Sequence, residues 1–492
     1  MKVRYSFKLT ALILTMTMLS GLAASCGSDS GSNELPADTA DSETTAEAVE
    51  TDPIEKLGTH NFGGKEYVIY SPNSGYGTQP HYDFEFVVDE ANGEVINDAV
   101  YNRVIKVEEL YNVDIVNITD QGGTVSQNVK KSVLAGEDAY SLVSDAIYDM
   151  RSPATNGIYA NYYDFDAIDL TQPWWNQSAT DTLSINGKCY LQYNYINSAS
   201  ALATHCLFYN KNIADEKKVD SIYDMVIDGT WTIDSMLKIT ADVSADLNGD
   251  TVYDSNDFFG FIASYGCVGI MHYGLDNPFL SISEDGVVSS ALMTERMQTT
   301  VEKVYKLCFE DNRSWIRPIA EDSKLATMFS NGQSLFYAGY FFDMITTFRD
   351  MKDDFGLLPY PKFDEEQDGY YTAIHGAVPM IAIPGSVVDY EMVGVVTEAL
   401  AIESYKNVRP AMIDLTLKNK LLRDEQSVQI YDMFLDGIRA DIAMVYGETD
   451  KVYNVLMNLL SEKSTDLASY VSTYIPSAIK SYQATIDAFM ED

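Results

Sequence analysis

Histidine and cysteine are both scarce, with five of each in 492 residues. So few imidazoles argue against an enzyme built on histidine chemistry and leave carboxylate chemistry open. Cys189, Cys206, Cys267 and Cys308 are scattered, with no CxxC pair and no histidine at zinc-like spacing, so the chain carries no zinc module. They read as buried free thiols, with a Cys189–Cys206 disulfide as the alternative. Acids outnumber bases 73 to 33, and a formal net charge of −40 repels phosphate backbones, which excludes nucleic acid as a partner. Beyond the extreme N-terminus no stretch reaches the ~20 apolar residues of a membrane helix. No repeat of solenoid period is present.

The ends are informative. Lys2, Arg4 and Lys8 precede the apolar run Leu9 to Leu19, which is too short to span a bilayer and reads as a signal peptide. The run closes on Leu22, Ala23, Ala24, Ser25 and Cys26, which resembles the lipobox of bacterial lipoproteins. That resemblance implies an acylated Cys26 and a chain anchored to the outer face of a membrane. Residues 27–57 hold nine carboxylates, one lysine and no aromatic, too little apolar surface to offset the entropy of ordering. They read as an acidic, disordered tether.

The rest of the chain, residues 58–492, is too long for one ordinary domain and suggests two lobes. Patterning alternates from residue 62: a strand over Phe62–Ser71, a helix over Glu94–Tyr111, a strand over Asn112–Ile118, a helix over Thr124–Ala135 and a strand over Tyr140–Tyr148. That order predicts βαβ units and a mostly parallel sheet, with ligands beyond the carboxyl ends of the strands. Asp145 and Tyr148 then lie at a cleft lip. A second block starts near His205, with Thr232 capping a helix, a strand over Phe258–Tyr265, helices over Glu295–Phe309 and Lys324–Ser330, and a strand over Gln333–Tyr340.

Asp246 to Asp257 reads DLNGDTVYDSND. Oxygen-bearing side chains fall at positions 1 (Asp246), 3 (Asn248), 5 (Asp250), 9 (Asp254) and 12 (Asp257), with the Val252 carbonyl at position 7, the ligand spacing of an EF-hand-type loop. Thr251 stands where glycine is usual, and Asp257 reaches less far than glutamate. The expectation is a structural Ca²⁺ site; an acidic, solvated turn is the alternative.

The succession PWWNQSA (Pro173 to Ala179), SINGKCY (Ser184 to Tyr190), LFYNKNIADE (Leu207 to Glu216), DGTWTIDSMLKIT (Asp228 to Thr240), the acidic loop and FGLLPYPKF (Phe355 to Phe363) resembles the family 1 extracellular solute-binding proteins of bacterial ABC importers. The resemblance implies an α/β, two-lobed periplasmic-binding-protein-like fold of type II, its lobes joined by crossing hinge segments and closing on a ligand. On that pattern the crossings fall near Tyr190–Ser200, Leu358–Lys362 and Ala401–Arg409. Lobe one is then 58–195 with 363–402, and lobe two is 196–362 with 403–492. The family mostly captures sugars and oligosaccharides, so the resemblance implies a carbohydrate ligand, permease subunits as partners and no catalysis; a monomer is expected.

By similarity to the maltose-binding branch, Tyr265 lies in a cleft-lining loop, and Tyr340 and Phe341 in a sugar-stacking loop that here lacks Trp. Trp174, Trp175, Tyr371 and His375 complete the expected lobe-one contacts, while Trp231 is assigned to the core. A peptide or other small solute is the alternative ligand. A secreted glycan hydrolase is the rival from another class, but nothing in the chain selects a carboxylate pair or makes eight βα units.

Overall fold

Apolar residues that alternate between strand and helix spacing can bury both faces of a sheet only by laying helices across it. The two larger sheets are built that way. The computed structural model describes residues 52–491 other than 74–85, 122, 198–203, 345, 375–377, 414–424 and 448–449.

In chain order the strands are Lys65–Pro72 (β1), Val113–Asp120 (β2), Leu142–Ala146 (β3), His205–Asn210 (β4), Phe259–Ser264 (β5), Leu280–Ile282 (β6), Val288–Ser290 (β7), Ser314–Arg317 (β8), Ser334–Tyr340 (β9), Phe355–Leu358 (β10), Thr372–Ala373 (β11), Pro379–Ala382 (β12) and Ile438–Arg439 (β13). The first sheet has the order β12-β3-β1-β2, with β1 parallel to β2 and β3, and β12 antiparallel to β3. Helices Val95–Tyr111 and Thr124–Leu134 make its crossovers, burying Val100, Val104 and Val107, and Val125 and Val129. The second sheet has the order β10-β4-β9-β5-β8. There β5 is parallel to β8 and β9, and β4 is antiparallel to β9 and β10.

Local signals are well kept. Thr232 and Ser235 form a reciprocal capping box, and Trp231 is fully buried with its indole N–H donating to the Pro359 carbonyl (3.1 Å). The four described cysteines are free and buried. Among the described residues no helix is long and apolar enough to cross a membrane.

Among the described residues three passages between the two larger sheets can be traced. The first two passages run antiparallel, with Gln192 bridged to Ile381 and Thr204 to Ile374. The third is the π-helical turn Ser404–Val408, which continues helix Tyr390–Glu403 into Arg409–Ile413. Buried Arg103 gathers these segments, donating to the Ile196 carbonyl (3.1 Å) and to Ser404 Oγ (2.9 Å).

The second passage differs from the expected Leu358–Lys362. Leu358 pairs with Leu207 inside the second sheet, the Tyr360 hydroxyl donates to the Cys267 carbonyl (2.9 Å), and Gln367 Nε2 donates to the Gly274 carbonyl (2.9 Å). Residues 363–373 therefore pack on the second sheet, and the chain returns to the first only at β12. Helix Leu467–Met490, expected within lobe two, touches both halves: Gln483 Nε2 donates to the Gly286 carbonyl (2.9 Å), and Asn186 Nδ2 to the Phe489 carbonyl (3.1 Å).

Candidate interlobe site

Parallel strands leave their carboxyl ends facing one way, and the loops that follow are free to carry side chains for a ligand. In the first half β3 runs directly into helix Ile147–Thr155. Tyr148 is exposed on its first turn, and the Arg151 guanidinium lies 5.6 Å from that ring. In the second half β5 runs into the short helix Tyr265–Gly269, where Ser264 caps Cys267 N–H (3.3 Å). β9 ends in Tyr340 and turns through Phe341–Met344.

The Arg151 and Tyr148 side chains both reach residues far along the chain. Arg151 Nη1–H donates to the Gly447 carbonyl, and the Tyr148 hydroxyl meets that of Tyr453. Tyr453 belongs with the second half, because the next helix, Val455–Ser461, packs on Tyr265–Gly269, whereas Gly447 follows the short helix Ile442–Val445, which packs on Ile147–Thr155. Neither partner of Arg151 or Tyr148 was evident from sequence, because a backbone carbonyl and one tyrosine among 34 carry no local signal.

The expected contact residues separate into distinct roles. Tyr265 is half-buried, and its hydroxyl has no partner among the described residues. Tyr340 is buried: its ring stacks 5.2 Å from Phe342 and lies 4.8 Å from His205, and its hydroxyl donates to Asp322 (3.1 Å). Phe341 is packed against Tyr431 and Phe434. Asp145 faces inward, accepting from the backbone of Gly123 (3.2 Å), Ser126 (3.0 Å) and Ala146 (2.9 Å) and from Ser126 Oγ (2.9 Å). Burial raises its carboxyl above the usual range against those four donors. Tyr371 is half-buried, its hydroxyl on Asp368 and its ring 4.2 Å from the Arg439 guanidinium. His375 lies outside the described residues.

Trp174 and Trp175 share one buried carboxylate. Their indole N–H groups donate to Glu398 Oε1 (2.7 Å) and Oε2 (2.9 Å), and burial pushes Glu398 up to about 7 against those two donors. Trp175 is 1% exposed, whereas Trp174 forms a partition between two cavities. One, about 740 Å³, lies within the first half against Asp164, Tyr390 and Glu398. The other, about 660 Å³, is walled by both halves and by the crossing segments.

The loop Asp246–Asp257 closes on its own amides. Asp246 accepts from Gly249 (2.6 Å) and Thr251 (2.8 Å), and buried Asp257 accepts from Leu247 (2.9 Å) and Asp254 (2.8 Å). Thr251 takes the left-handed conformation (φ +66°) that a calcium loop demands at its sixth position. Asn248, Asp250 and Val252 are exposed and Asp254 is half-buried. Among the described residues no three His, Cys, Asp or Glu side chains are grouped to hold a metal ion.

Similar structures exist for this arrangement. A cyclo/maltodextrin-binding protein complexed with maltotetraose aligns over 87% of this chain and 97% of its own, at TM-score 0.54 and 12% identity. A sugar transporter from Rhizobium etli in an open conformation aligns over 86% and 99% (TM-score 0.53, 12% identity). The maltose-binding periplasmic protein of Listeria monocytogenes, in complex with maltose, aligns over 86% and 97% (TM-score 0.51, 14% identity). The fold is that of the two-lobed solute-binding proteins. No protein-family model matches the chain, and no curated protein sequence matches it.

Proposed function

We propose that the protein is the extracellular capture component of an importer, closing its two halves on a sugar or oligosaccharide, delivering it to a membrane permease and doing no chemistry on it. The observation that carries this reading is the crevice itself. The loops at the carboxyl ends of the parallel strands carry Tyr148 and Arg151 in the first half and Tyr265 in the second, and crossing segments join the halves. The structural neighbours support it, since those described above were solved with maltose-type ligands or are described as sugar transporters.

Sugars present apolar ring faces to aromatics and hydroxyls to polar groups, and several such contacts reach micromolar affinity at about −8 kcal/mol. Closure needs only that the ligand fit the closed state better than the open one. The Tyr148–Tyr453 contact is one that the open state would lose. Calorimetry against panels of glycans and peptides, with product analysis after overnight incubation, tests the proposal. Binding of a glycan without turnover supports it; hydrolysis, or binding of peptides with none of glycans, overturns it.

The proposal places the chain as a monomer on the outer face of a bacterial cell membrane, held by an acyl group on Cys26 after removal of the signal peptide. Cys26→Ser is expected to release the protein into the medium with its melting curve unchanged. A variant as firmly cell-bound as its parent would remove the anchor. The acidic loop enters as a structural Ca²⁺ site, supported by its ligand spacing and by the turn at Thr251. Chelation is then expected to lower Tm, and Asp250→Ala to abolish the chelator's effect; identical curves with and without Ca²⁺ reduce the loop to a solvated turn.

A further inference from the structure

The cavity of about 660 Å³ lies apart from the crevice: Tyr148, Tyr265 and Tyr340 are absent from its walls. Trp174, Gln177 and Asp181 come from the first half, Asp436 and Arg439 from the second, and the crossing segments contribute Tyr193, Asn194 and Arg409. Its size is that of a small-molecule site.

One polar group in its walls lacks the partner that its burial calls for, and one cation there has no counter-charge. Asn194 is 4% exposed; its Oδ1 accepts from Ile196 N–H (3.0 Å), while its Nδ2 has no hydrogen-bond partner. Buried donors are rarely left unpaired, because they forfeit their bonds to water and gain nothing in return. Arg409 is half-buried and hydrogen-bonded to the Tyr195 hydroxyl, with the Tyr405 and Tyr195 rings 5.3 and 5.8 Å from its guanidinium carbon, and among the described residues no carboxylate pairs with it. In a chain carrying 73 acids and 33 bases, a cation held among tyrosines is placed to meet an anion from outside.

The other walls complete the chemistry. Trp174 has its N–H committed to Glu398, so it offers the cavity only its apolar ring. Asp181, Gln177 and Asp436 are exposed and supply acceptors for hydroxyl groups. We infer that this cavity is a second ligand site, taking a small sugar acid of the hexuronate class. Its carboxylate sits on Arg409 and Asn194 Nδ2, its ring face lies against Trp174, and its hydroxyls point to the exposed acids.

The test is calorimetric titration of the full chain with D-glucuronate and, separately, D-glucose. Glucuronate is expected to bind and glucose to bind at least about tenfold more weakly at this site. Arg409→Gln and Asn194→Asp, which keeps the acceptor for Ile196 and replaces the donor with a negative charge, are each expected to weaken glucuronate by about tenfold or more. Asp181→Trp, at an exposed position, is expected to block the cavity without touching the core. Tyr265→Ala, in the crevice, is expected to leave glucuronate binding unchanged. Absence of glucuronate binding, its indifference to all three cavity variants, or its loss in Tyr265→Ala overturns the inference. None of these outcomes bears on whether a neutral glycan binds in the crevice.

Discussion

Replacing Tyr265 with alanine is expected to weaken glycan binding by about tenfold while changing Tm little, because a stacked ring contributes on the order of 1 kcal/mol beyond its burial and Tyr265 is only half-buried at the edge of the core. Tyr340→Ala is expected to behave in the opposite way. Its ring is wedged between His205 and Phe342, and its hydroxyl satisfies Asp322, whose carboxyl burial already holds above the usual range. Emptying such a site costs about 3–5 kcal/mol. At ~2.1 cal/mol/K of unfolding entropy per residue, a chain this long loses only roughly 3–5 °C in Tm. Calorimetry and thermal melts on both variants separate the roles. A large drop in Tm with Tyr265→Ala, or none with Tyr340→Ala, reverses the assignment.

Glu398 is expected to make the fold more stable at mildly acidic pH than at neutral pH. Its carboxyl ordinarily titrates near 4.5 and is pushed up to about 7 in the folded chain. Between those values the folded state holds a proton that the unfolded state has released, so stability is greatest at the low end and is lost as pH rises through the window. The shift bounds the effect at about 3 kcal/mol. Asp343, pushed up to about 7, and Asp441, pushed up to about 6, add slopes of the same sign. Tryptophan emission isolates the Glu398 contribution, because both indoles that touch it report its charge. A titration with a midpoint about 7 is expected in the parent and none in Glu398→Gln, whose Tm should also depend less on pH. The same emission profile in both proteins would assign the transition to another group.

The fold was legible where the determining signal was local. Helical spacing predicted Glu295–Phe309 to the residue, and the Thr232 cap, the buried Trp231 and the βαβ order of the first sheet all follow from short-range pattern. Legibility failed where one segment depended on another far along the chain. The family resemblance implies a crossing at Leu358–Lys362, yet Phe355–Leu358 is held as a strand by pairing with His205–Asn210. The real return is Pro379–Ala382, an equally apolar stretch with no distinguishing local mark. Trp174 and Trp175 resembled cleft rings until Glu398, more than two hundred residues later, took both indole N–H groups. Asp145 had the position of a ligand-binding acid, but its acceptors are filled by the helix that follows β2. The hinge cavity had no sequence signature, since its walls come from four separated segments.

The place of β12 dictates an order of assembly. It flanks β3, with Pro379 opposite Ala146, so the strand that finishes the first sheet is made long after the rest of that sheet. Until it arrives β3 presents unpaired amides and carbonyls, a template for pairing with any other chain. Closing so long a loop is also slow, because its entropy is lost before the pairing returns anything. An N-terminal fragment ending before residue 379 therefore carries an open edge and is expected to aggregate, and every strand of the second sheet must be synthesised before the first sheet can finish folding.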